Sequence, residues 1–421
     1  MPAEPAGGHI SERSRSAVPD VSPPIPSGNL KGNAPLRVAL VCDYAEENWP
    51  SMDLVSEMLQ QNLAQELPGR ISAASIRPAM RRRLTGAGLT PDGGLRWKAD
   101  RFLARFLDYP RSLRQIASHY DLFHILDHSY AHLAHHLPRG RTIVTCHDLD
   151  AFQCLLEPAR EPRSLAFRLM TRRILEGLSQ AAWITCDTAA TRKAALDHRL
   201  FPPERLSIVW NGVHPAFGQH PSPQADSKIA HLVGRPAGSV IELLHVGSAI
   251  PRKRIDVLLQ VFTEVRRSLP GARLLRAGGD FTPAQRSLAR KLGVAAAIDV
   301  LPRLAPEALA AVYRRASLLL QPSQAEGFGL PVVEAMACGT PVLASDIPPL
   351  REVGGDAADY CPVADVPAWA STCVSLLQER CRDPQRWSAR QAGCVRQSLQ
   401  FSWKEYARSM AEIYQRVWDA C

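Results

Sequence analysis

The chain has 421 residues, 46% of them hydrophobic, with ten cysteines and a formal net charge of +9. That is apolar material for two ordinary domains, and the basic balance admits an anionic partner: a nucleotide sugar, an acidic membrane surface or, least well, nucleic acid, since the basic residues are dispersed without a stacking aromatic platform. The cysteines show no C-x-x-C pair and no Cys/His spacing suited to zinc, so neither a disulfide framework nor a structural metal is indicated and a reducing, cytoplasmic compartment is expected.

Residues 1–34 are rich in Pro, Gly and Ser without apolar periodicity, a composition that cannot offset the entropy of ordering, and are expected to be a disordered tail. No basic-then-apolar leader is recognisable, and no apolar run approaches the roughly 20 residues that cross a bilayer, so any membrane contact is expected to be peripheral. A first domain is expected over residues 35–215. It opens on Arg37-Val38-Ala39-Leu40-Val41-Cys42-Asp43, an apolar run suited to a central parallel strand, followed by a helical pattern from Met52 to Leu67. The loop between them is aromatic and acidic and lacks G-x-G-x-x-G, which counts against a dehydrogenase. In it, Asp43 and Trp49 suit bonding and stacking on a sugar ring. Trp97, Phe102, Leu103, Phe106 and Leu107 lie at helical spacing beside Lys98, Arg101 and Arg105. They fit either an interfacial membrane helix or, more commonly, a core-facing stripe with snorkelling bases. Strand-like runs recur from Phe123 to His128, Thr142 to Asp148 and Trp183 to Asp187. In a parallel doubly wound sheet ligands bind beyond the carboxyl ends of the strands, where His128, His147 and Asp148 fall.

Residues 216–240 read as a linker, and a second strand–helix series over residues 241–385 opens at Ile241-Glu242-Leu243-Leu244-His245-Val246. The loop Gly247-Ser248-Ala249-Ile250-Pro251-Arg252-Lys253 then precedes a helical run. Gly247 would let the backbone approach a phosphate, and Arg252 and Lys253 could each give it a charge-assisted hydrogen bond of about 1.5–3 kcal/mol; a solvated basic loop is the plainer alternative. After strand-like runs at Arg273 to Gly279 and Ala316 to Ser323 comes a loop of Glu326, Gly327, Phe328, Gly329 and Leu330. Pro331 suits the first turn of a helix and Gly339 its C-terminal cap. Glu334 is expected in the first turn of that helix, with the N–H groups of residues 327–330 at the positive end of its dipole. Two carboxylates so spaced could hold the hydroxyls of a hexose and a ribose at once, although either alone would be read as a solvated charge or a dipole complement.

Taken together, Glu326, Glu334 and the glycine-rich loop resemble the E-x7-E signature of retaining glycosyltransferases of the GT-B fold, family 4. Asn211-Gly212-Val213, the loop from His245 to Lys253 and Phe401-Ser402-Trp403 are similar to further segments of that family, and the resemblance covers roughly residues 36–421. It implies two Rossmann-like domains facing across a cleft, with helices of residues 386–421 crossing back to the first. It also implies that Glu326 contacts the transferred sugar, Glu334 the ribose, and Arg252 and Lys253 the diphosphate. His147 would lie near the donor 6-hydroxyl through its imidazole or neighbouring backbone. The commoner family form has an arginine where this chain has Ser248, which puts more of the leaving-group charge on Lys253.

The expected activity is therefore hexosyl transfer from a nucleoside diphosphate sugar to a carbohydrate or lipid-linked hydroxyl acceptor, with Glu326, His147 and Lys253 as catalytic residues. Gly247, Ser248, Arg252, Lys253, Gly327, Phe328, Gly329, Leu330 and Glu334 are expected on the nucleotide sugar, and Asp43, Trp49 and His128 on the acceptor. No cofactor or metal is expected, although Asp148 and Asp150 spell a D-x-D, a metal-binding signature of the other glycosyltransferase fold. Two alternatives stay open: a nucleotide-sugar epimerase, which would turn over without acceptor, and a catalytically silent sugar-nucleotide-binding partner of a polysaccharide assembly.

Overall fold

The computed structural model describes residues 34–85 and 94–421; of the tail expected over residues 1–34, all but the last lies outside the described residues. The described residues form two parallel sheets of six strands each. In the first, β1 (Leu36–Val41), β2 (Ile71–Ile76), β3 (Leu122–Ile125), β4 (Thr142–Cys146), β5 (Trp183–Cys186) and β6 (Leu206–Ile208) run in the order β2-β1-β3-β4-β5-β6. In the second, β7 (Glu242–Val246), β8 (Arg273–Ala277), β9 (Ile298–Val300), β10 (Leu318–Gln321), β11 (Val342–Ser345) and β12 (Asp359–Cys361) run in the order β12-β11-β10-β7-β8-β9. Strands β3, β4, β7, β10 and β11 are buried along their whole length. Helices cover both faces, which is why those segments read as near-continuous apolar runs and not as alternating ones.

Strand order reverses between β1 and β3 in the first sheet and between β7 and β10 in the second. Loops that leave a sheet in opposite directions part there and open a crevice at the carboxyl ends of the strands. The loops after β1 and β3 carry Asp43 and His128; those after β7 and β10 carry residues 247–254 and 322–329.

The segment 216–240 is not a plain linker. It contains a helix, Pro223–Val233, whose Ala225 and Ile229 enter the second sheet's core beside Phe217, because two apolar residues four apart lie on one helical face. The closing helices also divide differently from expectation. Pro384–Ser398 stays against the helix Leu330–Ala337, and only Trp403–Asp419 crosses to the first sheet. There Tyr406, Met410, Ile413, Tyr414 and Val417, which share one helical face, are buried against the helix Pro50–Glu66, and the Tyr414 hydroxyl meets His124 Nδ1 at 2.7 Å. The crossing is close because Gly212 has no side chain: a Cβ there would lie 2.2 Å from Trp403 N.

The stripe at Trp97–Leu107 is split. Trp97 is buried and Phe106 stacks between Phe102 and His132, while Phe102 and Leu107 keep much of their surface in solvent. Across the cleft, Glu352 accepts from the N–H groups of Ala189 and Ala190, at 2.9 and 3.3 Å, at the positive end of the helix Ala189–Asp197. It also accepts from Trp210 Nε1 at 2.7 Å.

Candidate active site

The loops after β7 and β10 meet at the second switch point. Glu326 is buried there, and its Oε1 accepts from Lys253 Nζ, Gln321 Nε2 and Ser323 Oγ, each at 2.7 Å, while Oε2 accepts from Lys253 at 2.8 Å. Oε1 is saturated; Oε2 retains acceptor capacity for a ligand hydroxyl. Burial opposes the charge of Glu326, but the charges of Lys253 and Arg252 with the hydrogen bonds of Lys253 and Ser323 hold its pKa below the ordinary value.

Gly329, with φ of 104°, is the N-cap of the helix Leu330–Ala337, and Gly339, with φ of 73°, closes its far end. Glu334 lies in the second turn of that helix, not the first, so it does not act as a dipole complement. Its Oε2 accepts from the Tyr313 hydroxyl at 2.7 Å. Burial raises its pKa to about 7 against the opposing pull of that single bond. The Phe328 side chain points away into the core, edge-on to Phe401 at 5.6 Å. The N–H of Gly247 is committed to the Ala277 carbonyl at 3.0 Å, so this glycine offers close approach and not a donor. Ser248 and Leu330 are half-buried.

Of the two contacts expected of His147, through its ring or through its backbone, the ring is committed elsewhere. Its Nδ1 meets Asp187 Oδ2 at 2.6 Å and its Nε2 meets the Leu126 carbonyl at 2.7 Å. Both partners accept, so both ring nitrogens carry protons. Burial disfavours the cation, but the charge and hydrogen bond of Asp187, the charge of Asp127 and the Leu126 carbonyl outweigh it and raise the pKa to about 10. An imidazolium with both N–H groups spent has none left for a donor hydroxyl. What His147 gives the cleft is backbone: a Cβ on Gly327 would lie 2.4 Å from the His147 carbonyl oxygen, so the two walls touch where Gly327 stands. Thr188 Oγ1 secures the contact by donating to the Gly327 carbonyl at 3.1 Å.

The D-x-D pair lies opposite Arg252, whose guanidinium is 3.6 Å from Asp148, 3.4 Å from Asp150 and 3.7 Å from Glu326. Among the described residues no group of three or more His, Cys, Asp or Glu side chains is arranged to hold a metal ion. At the first switch point Asp43 is buried, and burial with the charge and hydrogen bond of Asp127 raises its pKa well above the usual range. His128 Nδ1 accepts from the His147 N–H at 3.3 Å, and its Nε2 is 3.7 Å from Asp148. Trp49 is 42% exposed, whereas Tyr44 in the same loop is buried with its hydroxyl on the Ala104 carbonyl. Four residues of this constellation escaped the sequence reading. Asp187 was visible as the polar end of a strand run, Gln321 and Ser323 as polar residues ending an apolar one, and Tyr313 carried no signal.

Comparison with known proteins matches two family descriptions: Glycosyltransferase Family 4 over residues 61–217 and Glycosyl transferases group 1 over residues 235–391. A D-inositol 3-phosphate glycosyltransferase from Rhodococcus erythropolis is 31% identical over 325 residues, 72% of this chain and 71% of that one. Another of that name, from Thermobispora bispora, is 34% identical over 228 residues, 51% of each chain. Among solved structures, sucrose-phosphate synthase from Thermosynechococcus elongatus superposes with a TM-score of 0.69 at 19% identity, covering 92% of this chain and 100% of that one. Anabaena HepE in complex with UDP and glucose superposes at 0.65 and 15% identity, covering 90% and 100%. These structures share the GT-B fold of two facing doubly wound units, and the chain belongs to the group 1 glycosyltransferases.

Proposed function

We propose that this glycosyltransferase moves a hexosyl unit from a nucleoside diphosphate sugar to a hydroxyl of a glycan or glycolipid, with retention and without an obligatory metal. The observation that carries the reading is the Lys253–Glu326 pair at the second switch point, with Glu334 on the helix that follows. Glu326 Oε2 holds a hydroxyl of the transferred sugar, Glu334 the ribose, and Lys253 and Arg252 meet the diphosphate. The bond from C1 to the diphosphate oxygen breaks, the acceptor oxygen bonds C1 from the same face, and its proton leaves on the departing phosphate. Fixed charges aimed at that phosphate supply most of the acceleration. Metal independence is supported by the engagement of Asp148 and Asp150 with Arg252.

Acceptor binding is assigned to the loops after β1 and β3, where the buried Asp43 carboxyl lies beside Asp127. No helix among the described residues is long and apolar enough to cross a membrane. Peripheral contact is supported by exposed Leu165, Phe167 and Leu169 beside Arg163, Arg172 and Arg173, and a reducing compartment by ten free cysteines. HepE's bound UDP makes uridine the first base to try.

Thermal-shift screening against UDP-, GDP-, ADP- and dTDP-sugars selects the donor, and release of free nucleoside diphosphate in the presence of sugar acceptors then reports transfer. Proton NMR of the product is expected to show the donor's anomeric configuration. An inverted anomer overturns retention, and an altered sugar formed without acceptor replaces transfer with epimerisation.

A further inference from the structure

The two loop cations assigned to the diphosphate are already engaged by the protein's own carboxylates. Lys253 is bonded to both oxygens of Glu326, and Arg252 lies within 4 Å of Asp148, Asp150 and Glu326. Two cations facing three carboxylates leave this wall formally acidic, so a diphosphate arriving here needs positive charge from elsewhere.

Arg276 has it. It lies on β8 opposite His245 of β7, and it is wholly buried. Among the described residues its Nη1 bonds only the Ala277 carbonyl, and Nε and Nη2 have no partner. Asp280, the carboxylate that favours its charge, is itself bonded to Arg286 at 2.9 Å. His245 cannot help: it is fully buried, with both ring nitrogens unpartnered among the described residues, and burial with the charges of Arg276 and Lys253 keeps it neutral. A buried guanidinium whose neighbouring carboxylate is already paired elsewhere is costly, and the cost is relieved when an anion arrives.

The place of arrival is adjacent. The loops after β7 and β8 lie backbone to backbone, since a Cβ on Gly278 would stand 2.6 Å from the Gly247 carbonyl oxygen. The His245 ring and the Lys253 stem both sit within 4 Å of where a Gly247 Cβ would be. Arg276 is therefore directly behind the turn that approaches the phosphates.

We propose that Arg276 is the buried counter-charge of the diphosphate, a positioning residue that stabilises the nucleotide and the departing leaving group from behind the Gly247–Gly278 contact. This rests on the donor-site reading above. The test is calorimetry with UDP, GDP and ADP, taking forward whichever binds tightest together with its nucleoside. Arg276→Met, matched in volume and checked by circular dichroism, is expected to lose about tenfold or more in diphosphate affinity while nucleoside affinity stays put. Arg276→Lys should keep most of it. If Arg276→Met does not fold, Arg276→Gln carries the same comparison. Equal losses for diphosphate and nucleoside, or no loss, overturn the inference. Lys253→Ala separates the two failures: loss in Lys253→Ala but not in Arg276→Met overturns this inference alone. No loss in either, or no binding of any of the three diphosphates, removes the donor site and this inference with it.

Discussion

Glu334 makes donor binding depend on pH in a direction that can be worked out. Its pKa is about 7 because burial, which raises it, outweighs the hydrogen bond from the Tyr313 hydroxyl. Tyr313 itself stays neutral, its pKa raised well above the usual value by burial and by Glu334's charge. Because the folded pKa of this acid is raised above its unfolded value, folding takes up a proton in the interval between them, and the stability it contributes falls as pH climbs from about 4.5 to about 7. Ribose hydroxyls donate, so they bind the ionised carboxylate. At pH 8 roughly nine in ten Glu334 side chains are ionised and at pH 6 about one in ten, so affinity should fall about tenfold between them, with one proton released per ligand bound near pH 6. An intact nucleotide sugar is the right probe, because its phosphate diester oxygens do not titrate in this window. Calorimetry at pH 6, 7 and 8 in buffers of different ionisation enthalpy reads both numbers. Glu334→Gln should bind more weakly at pH 8 and show no slope. A flat wild-type profile, or a slope that survives in Glu334→Gln, would refute the assignment of this carboxylate to the ribose.

The remaining predictions concern the other contacts. Glu326→Gln should mainly lower kcat while leaving nucleoside diphosphate affinity nearly intact, whereas Glu334→Gln should mainly raise the donor KM, as steady-state kinetics and calorimetry would register. Turnover should survive EDTA; activity that vanished and returned with Mn²⁺ or Mg²⁺ would reassign Asp148 and Asp150 to a metal. Asp187→Asn should destabilise the fold by about 3–5 kcal/mol in urea titrations at pH 7, since it strips the buried His147 cation of its charge partner. The pKa of His147 is raised on folding, so the pair's contribution is complete below about pH 6.5 and is lost as pH rises through about 10, and the variant should lack that slope. Gly327→Ala drives a methyl group into the His147 carbonyl and should cost about 1–3 kcal/mol of stability along with most activity, measurable by thermal melts and turnover.

The parallel sheets were legible because strands buried on both faces leave unbroken apolar runs, and β1, β3, β4, β7, β10 and β11 all announced themselves this way. The half-exposed β2 and the three-residue edges β6, β9 and β12 did not, since short or half-buried strands carry neither a long run nor clear alternation. Glu326, Lys253 and Glu334 could be named because loop, helix start and charge fall in short windows. The partners that set the protonation of Glu334 and His147 could not: Tyr313 is 21 residues from Glu334 and Asp187 is 40 from His147. Such pairs are created by strand order, which no local pattern encodes. His147 shows the consequence, since its residue type suited a contact with the sugar and its neighbours make it a buried cation.

A crystal structure with the nucleoside diphosphate would decide where the donor sits. The ribose hydroxyls should lie within hydrogen-bonding distance of Glu334 and the phosphates against the turn from Gly247 to Lys253, with Arg252 drawn off Asp148 and Asp150. A nucleotide seated in the first unit, or a ribose remote from Glu334, would contradict this placement.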